Sequence, residues 1–270
     1  MKKRIAVITK EDMKSSDIRA DILADIQKDG GFSLCICDDA SKISDEDVVL
    51  IFGGDGTVLE VVRAVAEKNI PILCVNLGNL GFLAEYERSV NSQDVVNALK
   101  SSDLRQRMML CVNLSSGVSE RALNEVVIRS LSSRPIYIDV YVDGKFVDSY
   151  HSDGAIVSSP TGSTAYSLSA GGPILAPDVY AFVINPICAH SLHSRPLVVS
   201  ADSIVEMRVK GECACVCVDG NTTYTLEKGG VVTVKKSSKT AKFVCSGDDE
   251  FYKKLLQKMN RWGTTECTEG

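Results

Sequence analysis

Short, continuously apolar runs alternate with helical-period segments through the first hundred residues, and polar or glycine-rich breaks separate them. Arg4 to Thr9 reads as a buried strand, and Asp17 to Lys28 carries Ile18, Ile22, Leu23 and Ile26 at helical spacing before stopping at Gly30-Gly31. Phe32 to Cys37 and Val48 to Phe52 read as strands, Thr57 to Lys68 as a helix, Ile70 to Val75 as a strand and Gln93 to Lys100 as a short helix. Apolar strands alternating with helices predict an N-terminal Rossmann-like parallel α/β domain over residues 1–100, with helices on both faces of the sheet.

The period then changes to two. From about Met108 to Val234 alternating segments recur, as in "IYIDVYVDGKFVDSY", where Asp143-Gly144 marks a hairpin turn, "GAIVSS" and "SIVEMRVKGECACVCVDGNTTYTLEKGGVVTVKK". Residues 101–240 are therefore expected to form a mostly antiparallel β-sandwich domain. Ala241 to Cys245 reads as a last strand and Glu250 to Met259 as a last helix, amphipathic through Phe251, Leu255, Leu256 and Met259. Residues 241–270 are expected to return to the first domain, with Thr264 to Gly270 frayed. No internal repeat or low-complexity linker interrupts the pattern.

Composition narrows the function classes. With 270 residues, 44% hydrophobic and 24% charged, the chain is an ordinary globular protein, and its net charge of -5 offers no basic stripe for nucleic acid or an anionic membrane. Met1-Lys2-Lys3-Arg4 could open a signal peptide, but only Ile5 to Ile8 follow before Thr9, Lys10, Glu11 and Asp12, which fits a first strand. No apolar run approaches the roughly 20 residues of a membrane span. A cytoplasmic protein is expected. Among ten cysteines there is no C-x-x-C pair; Cys35 and Cys37, like Cys213, Cys215 and Cys217, recur every second residue on one strand face. They read as reduced, small hydrophobic side chains rather than a zinc site. His151, His190 and His193 form no H-x-x-x-H pair either.

Two stretches carry candidate chemistry. In "IFGGDGTVLE" an apolar strand runs into Gly53, Gly54, Asp55, Gly56 and Thr57 just before a helix. Ligands of open parallel sheets sit at the carboxyl ends of strands, glycines let the backbone approach phosphate, and helix N-termini favour anions. The loop nevertheless lacks the lysine of a P-loop. Asp55 would repel phosphate, which suits it better to hold a divalent ion or accept a proton; a plain strand-to-helix turn capped by Asp55 is the alternative. The second stretch, "HSDGAIVSSPTGSTAYSLSAGGP", is rich in hydroxyls and glycine around Asp153 and Tyr166. It reads as a small-molecule cradle in which Thr161 and Thr164 supply hydroxyls and Tyr166 a flat face for a ring, or else as a surface loop. Asn124-Glu125 heads the apolar strand "NEVVI" and is a strand end or a ligand contact.

In order along most of the chain, "GGDGT", "NLGNLGFL" (76–83), "NEVVI", "DGAIVSSPTGSTAYSLSAGGP" and "PICAHSLHSRPLVV" (186–199) resemble the NAD kinases. The resemblance implies transfer of the terminal phosphoryl group of ATP, or of polyphosphate, to the 2′-hydroxyl of the adenosine ribose of NAD. It also implies a divalent metal such as Mg²⁺, and a homodimer or homotetramer whose NAD site borrows residues from a neighbour. By the same resemblance Asp55 is the proton acceptor and Gly56 its neighbour on the ligand, while Asn124 and Glu125 lie at the ribose. Asp153, Thr164, Ala165, Tyr166, Ser167, Leu168 and Ser169 would line NAD; Asn221 stands where many relatives have Gln or His. His151 replaces an Arg of several relatives, and Arg134 is a further nucleotide contact. A ribose hydroxyl is a poor acid, so Asp55 is expected to orient it and take its proton late. A lipid or sugar kinase sharing the GGDG loop, or a non-catalytic NAD-binding module, is the alternative reading; the acid in the loop favours an enzyme.

Overall fold

The computed structural model describes residues 2–78, 81–191, 193–247 and 251–263, the last three as backbone only. Asn79 and Leu80 of the "NLGNLGFL" stretch, Leu192 of the "PICAHSLHSRPLVV" stretch, Glu250 and the tail from Thr264 to Gly270 lie outside them. The chain divides into two compact units, residues 1–106 with 242–270, and residues 107–241.

In the first unit, β1 (Lys3–Thr9), β2 (Phe32–Cys37), β3 (Val48–Phe52) and β4 (Ile72–Asn76) form a parallel sheet ordered β4-β3-β1-β2. The helices are α1 (Asp17–Asp29), α2 (Asp55–Glu67) and α3 (Ser92–Lys100), and the short β5 (Tyr86–Glu87) pairs with β4. Ile5, Val7, Leu50, Phe52, Leu73 and Val75 share a cluster with Ile22 and Ile26 of α1 and Val95, Val96 and Leu99 of α3. Alternate residues Ala6, Val49, Ile51, Ile72 and Cys74, equally buried, point to the opposite face. The β3-to-β4 step runs opposite to the β1-to-β2 step, so right-handed crossovers put α2 on that second face. The order reverses between β1 and β3, and the carboxyl end of β3 is therefore a switch-point crevice.

The second unit is all but helix-free. Its strands are β6 (Leu104–Leu114, entering from the first unit), β7 (Ser119–Ala122), β8 (Glu125–Ser130), β9 (Ile136–Val142), β10 (Lys145–Ser152) and β11 (Gly154–Ser158). After the one-turn α4 (Tyr166–Ser169) come β12 (Ala181–Ile187), β13 (Leu197–Ser200), β14 (Val205–Lys210), β15 (Ala214–Val218), β16 (Thr222–Leu226) and β17 (Val231–Val244). One antiparallel sheet is ordered β13-β12-β11-β8-β15-β16; β10-β9-β14-β17 is the core of the other. Val126, Ile128, Ala155, Val157, Phe182 and Ile184 from the first meet Ile138, Val140, Val205, Met207, Val232 and Val234 from the second in one core, which makes a sandwich. Asp143-Gly144 turns β9 into β10 with φ 51 and 74, and Asp219-Gly220 turns β15 into β16 with φ 50 and 71. The first is a two-residue turn and the second a three-residue one that includes Asn221, since Val218 pairs with Thr222; both have left-handed residues at their centre, which suits a twisted hairpin.

Strand β17 is 14 residues long, so the final strand expected at Ala241 to Cys245 is its end rather than a separate element; Phe243 pairs parallel with Ile72 of β4. The last helix, α5 (Phe251–Gly263), belongs to the first unit. Its expected apolar face is only partly used: Phe251 is buried, whereas Leu256 and Met259 are 60% and 50% exposed. No described helix is long and apolar enough to cross a membrane. Every described cysteine is a free thiol.

Candidate active site

Strand β3 delivers the chain to the switch point with its five residues buried, and Gly53 N–H then bonds Val75 O at 3.1 Å. Helix α2 starts at Asp55, two residues before the expected Thr57, so only Gly53 and Gly54 remain loop. The N–H groups of Thr57 and Val58 return to Gly54 O, at 3.0 and 3.3 Å. Those of Asp55 and Gly56 have no partner among the described residues, as expected of a helix start. A Cβ on Gly53 would lie 2.5 Å from Thr57 Oγ1, so close packing requires that glycine. Gly56 differs: it is exposed, a Cβ there would meet nothing within 4 Å, and its φ is not positive. Neither packing nor backbone conformation within the unit demands glycine at 56, whereas close approach of a ligand would.

The Asp55 carboxylate holds the "NLGNLGFL" segment. Phe82 N–H donates to Oδ2 at 2.8 Å and Leu83 N–H to Oδ1 at 3.1 Å, and a Cβ on Gly81 would fall on the same carboxylate. Upstream, Asn76 Oδ1 accepts from Gly78 N–H at 2.9 Å. A carboxylate has about four acceptor positions, so two bonds leave room on each oxygen for a hydroxyl or a cation. Among the described residues no three His, Cys, Asp or Glu side chains cluster to hold a metal. Asp55 nevertheless fits Mg²⁺ that arrives on substrate phosphates, since that ion takes one or two protein carboxylates and keeps its other oxygens from phosphate and water.

In the second unit, Asp219 organises the entry to β8. Its buried carboxylate accepts from the N–H groups of Leu123, Asn124 and Glu125 at 2.8, 2.8 and 3.2 Å, and its own N–H donates to Glu125 O at 3.0 Å. The chain after β11 is stitched to the same place. Ser159 N–H donates to Asn124 O at 2.8 Å, Ser159 Oγ to Leu123 O at 2.5 Å, and Gly162 N–H to Ser159 Oγ at 3.1 Å. A side chain on Gly162 would fall on the backbone of Asn124, so glycine is obligatory there. Thr164 Oγ1 turns back to Thr161 O at 3.2 Å.

Glu125 is 6% exposed and has no cation partner among the described residues. Burial first, then the negative charge of Asp219, pushes its carboxyl up to about 8, against a hydrogen bond from Tyr166 N–H that favours the charged form. Tyr166 and Ala170 pack on Val127, Ile156 and Ile187, so α4 covers the sheet face turned away from the sandwich core. Asn185 Nδ2 donates to Ser167 O at 2.9 Å. Glu125 Oε2, Ser167 Oγ and Asn185 Oδ1 are buried with no hydrogen-bond partner among the described residues. Buried polar atoms in native proteins have partners, so these orphans mark where a ligand or ordered water completes the site.

The expected NAD-contacting residues of this unit fall into two groups. In the β8 and β11 pairing Glu125 lies opposite Ser158 and Arg129 opposite Gly154, which separates the two ends by roughly 14 Å. Asn124, Glu125, Thr161, Thr164, Ala165, Tyr166 and Asn221, which follows the Asp219 turn, belong to the first end; Ser167, Leu168 and the exposed Ser169 continue along the outer face. Arg134, His151 and Asp153 sit at the other end. Arg134 is exposed in the turn after β8, and Asp153 N–H donates to Ile187 O at 3.0 Å with its side chain exposed. His151 stacks on Tyr137, with centroids 4.3 Å apart and an interplanar angle of 10°, and meets His190 edge-on at 4.9 Å.

Local sequence pattern does not single out Asp219 or Gly81. Asp219-Gly220 had the signature of a hairpin turn but nothing to say that its carboxylate faces three N–H groups 94 to 96 residues earlier. Gly81 was only one glycine of a motif; its use depends on Asp55 lying against it.

Residues 36–101 match the family model described as "ATP-NAD kinase N-terminal domain" and residues 123–246 the one described as "ATP-NAD kinase C-terminal domain". The NAD kinase of Koribacter versatilis is 42% identical over 229 residues, covering 80% of this chain and 78% of the relative. The bifunctional NADP phosphatase/NAD kinase of Methanococcus maripaludis is 40% identical over 230 residues; the match takes in 81% of this chain but spans only 40% of that longer protein. Among solved structures, the NAD kinase from Archaeoglobus fulgidus in complex with ATP superposes with a TM-score of 0.81 at 25% identity, over 95% of this chain and 98% of that one. Yeast NADH kinase complexed with NADH has the same fold, with a TM-score of 0.85 at 22% identity over 99% and 90%.

Proposed function

The chain belongs to the NAD kinase family and acts as an NAD kinase, and from that premise we propose how its own residues carry the transfer. The γ-phosphoryl group of ATP goes to the adenosine-ribose 2′-oxygen: the new O–P bond forms as the bond to the bridging oxygen of ADP breaks, and ADP leaves with that electron pair. The hydroxyl proton passes to Asp55 and then to solvent. Asp55 orients the hydroxyl through an acceptor position left by Phe82 and Leu83 N–H. Proton removal is late, because the alcohol is a poor acid until its bond to phosphorus is largely made. Gly53, Gly54, Gly56 and Thr57 form the phosphate loop. The observation that carries this reading is Gly56, exposed beside Asp55 where packing requires no glycine.

In the β-rich unit, the NAD-binding domain of this proposal, Asn124, Glu125, Thr161 and the run from Thr164 to Ser169 receive NAD, with Asn221 at the rim. The unpartnered atoms of Glu125, Ser167 and Asn185 support this. Mg²⁺ brought on ATP would be held by Asp55 and the phosphates and would neutralise charge on the transferring group. Arg134, His151 and Asp153 serve the NAD site of a neighbouring subunit in a homodimer or homotetramer. Their separation from the Asn124 end within one chain favours that arrangement. The free thiols fit a reducing, cytoplasmic setting. Incubation with Mg-ATP and, separately, NAD, diacylglycerol and fructose 6-phosphate tests the acceptor. NADP alone is expected; phosphorylation of either other acceptor without NADP would overturn the reading. Replacing ATP by polyphosphate in the same assay identifies the donor.

A further inference from the structure

The glycine loop contains no lysine, yet phosphoryl transfer depends on neutralising the charge of the moving group. On α5, Phe251, Lys254 and Lys258 recur at positions i, i+3 and i+7, one face of a helix. All three engage the segment that Asp55 holds. The Phe251 ring lies 6.0 Å from that of Phe82, Lys254 Nζ donates to Ala84 O at 2.6 Å, and Lys258 Nζ stands 4.0 Å from the centroid of the Phe82 ring.

The two amines differ in what they have left to give. Lys254 is committed to a backbone carbonyl, whereas Lys258 has no hydrogen bond or ion pair among the described residues. Burial lowers the Lys258 pKa, and the Asp55 carboxylate acts in the opposite direction, holding the proton on. A half-buried ammonium over a ring face, with no hydrogen-bond acceptor of its own, keeps N–H donors for another acceptor. We propose that Lys258 is the missing phosphate-loop cation, supplied by the C-terminal helix, and that it receives an oxygen of the terminal phosphoryl group of the donor. The inference rests on the NAD kinase reading for the identity of that donor.

Wild type, Lys258→Gln and Lys258→Arg are compared for NADP formation, for calorimetric binding of ATP and ADP, and for Tm. A charge-assisted contact to the terminal phosphate is worth about ten- to hundredfold. Lys258→Gln is expected to lose that factor in kcat/KM for ATP, with KM for NAD and Tm held. It should also lose most of the wild-type preference for ATP over ADP, which Lys258→Arg restores. An unchanged ATP-to-ADP preference in Lys258→Gln, or a loss that follows Tm and that Arg fails to rescue, would show a merely structural clamp on Phe82. A wild type that makes no NADP overturns the kinase reading instead, and the two binding constants still decide the role of Lys258.

Discussion

A carboxyl held at about 8 is protonated at neutral pH, so Glu125 offers an O–H donor to the proposed NAD cradle rather than a negative charge. In the unfolded chain it ionises near 4.5, and between 4.5 and 8 the folded state binds the extra proton. Stability should therefore fall as pH rises through that window, by about 1.4 kcal/mol per pH unit for one proton, and level off above it. Glu125→Gln keeps a neutral donor and removes the titration. Denaturant midpoints from pH 5 to 9 should lose this slope in the variant, and its NAD affinity should stay flat where wild-type affinity declines above pH 8; parallel curves would contradict a protonated Glu125. Tyr166 gives a second residue-level expectation. If its ring stacks on the ligand, Tyr166→Phe changes KM for NAD modestly and Tyr166→Ala much more, in steady-state kinetics with saturating ATP. Equal KM values would remove the stacking role.

Two short turns set the geometry of much larger elements. At the start of α2, Asp55 both opens the helix and ties down Phe82 and Leu83, so Gly81→Ala should displace the carboxylate and lower kcat even though no substrate contact is assigned to residue 81. At the β15-β16 turn, Asp219→Asn keeps the turn but weakens three charge-assisted bonds to the start of β8. A loss of about 1–3 kcal/mol in stability is expected, with a higher KM for NAD, and urea melts beside kinetics check both. Individual elements were largely legible in the sequence: Val48–Phe52 and Phe32–Cys37 were read to the residue because apolar runs of that length bounded by breaks admit little else. Helix α5 departs from its hydrophobic pattern in one respect. Helical periodicity favoured Leu256 and Met259 as the buried face, but the segment it covers presents a carbonyl and a ring face, which suit Lys254 and Lys258.

At the scale of the whole molecule, the parallel α/β sheet and the antiparallel sandwich followed from the change of hydrophobic period from helical alternation to two. What periodicity could not give was proximity: neither the grip of Asp219 on residues 123–125 nor the roughly 14 Å between the Glu125 and Gly154 ends is written in any local pattern. That separation makes a prediction about assembly. Mixed oligomers of Asp55→Asn and Asp153→Ala subunits should regain activity, because each Asp153→Ala subunit supplies an intact Asp55 and borrows an intact Asp153 from its partner. Co-refolded samples checked for mixed assembly by native mass spectrometry, with no recovered activity, would count against shared sites. The central claim, that Asp55 orients the 2′-hydroxyl and receives its proton, meets its most direct test in Asp55→Asn. With saturating NAD and Mg-ATP, kcat should fall by about 10²- to 10⁴-fold while NAD still binds, and excess Mn²⁺ should not restore it. A near wild-type kcat would contradict the claim, and so would full recovery by Mn²⁺, which would make holding the ion the whole role of Asp55.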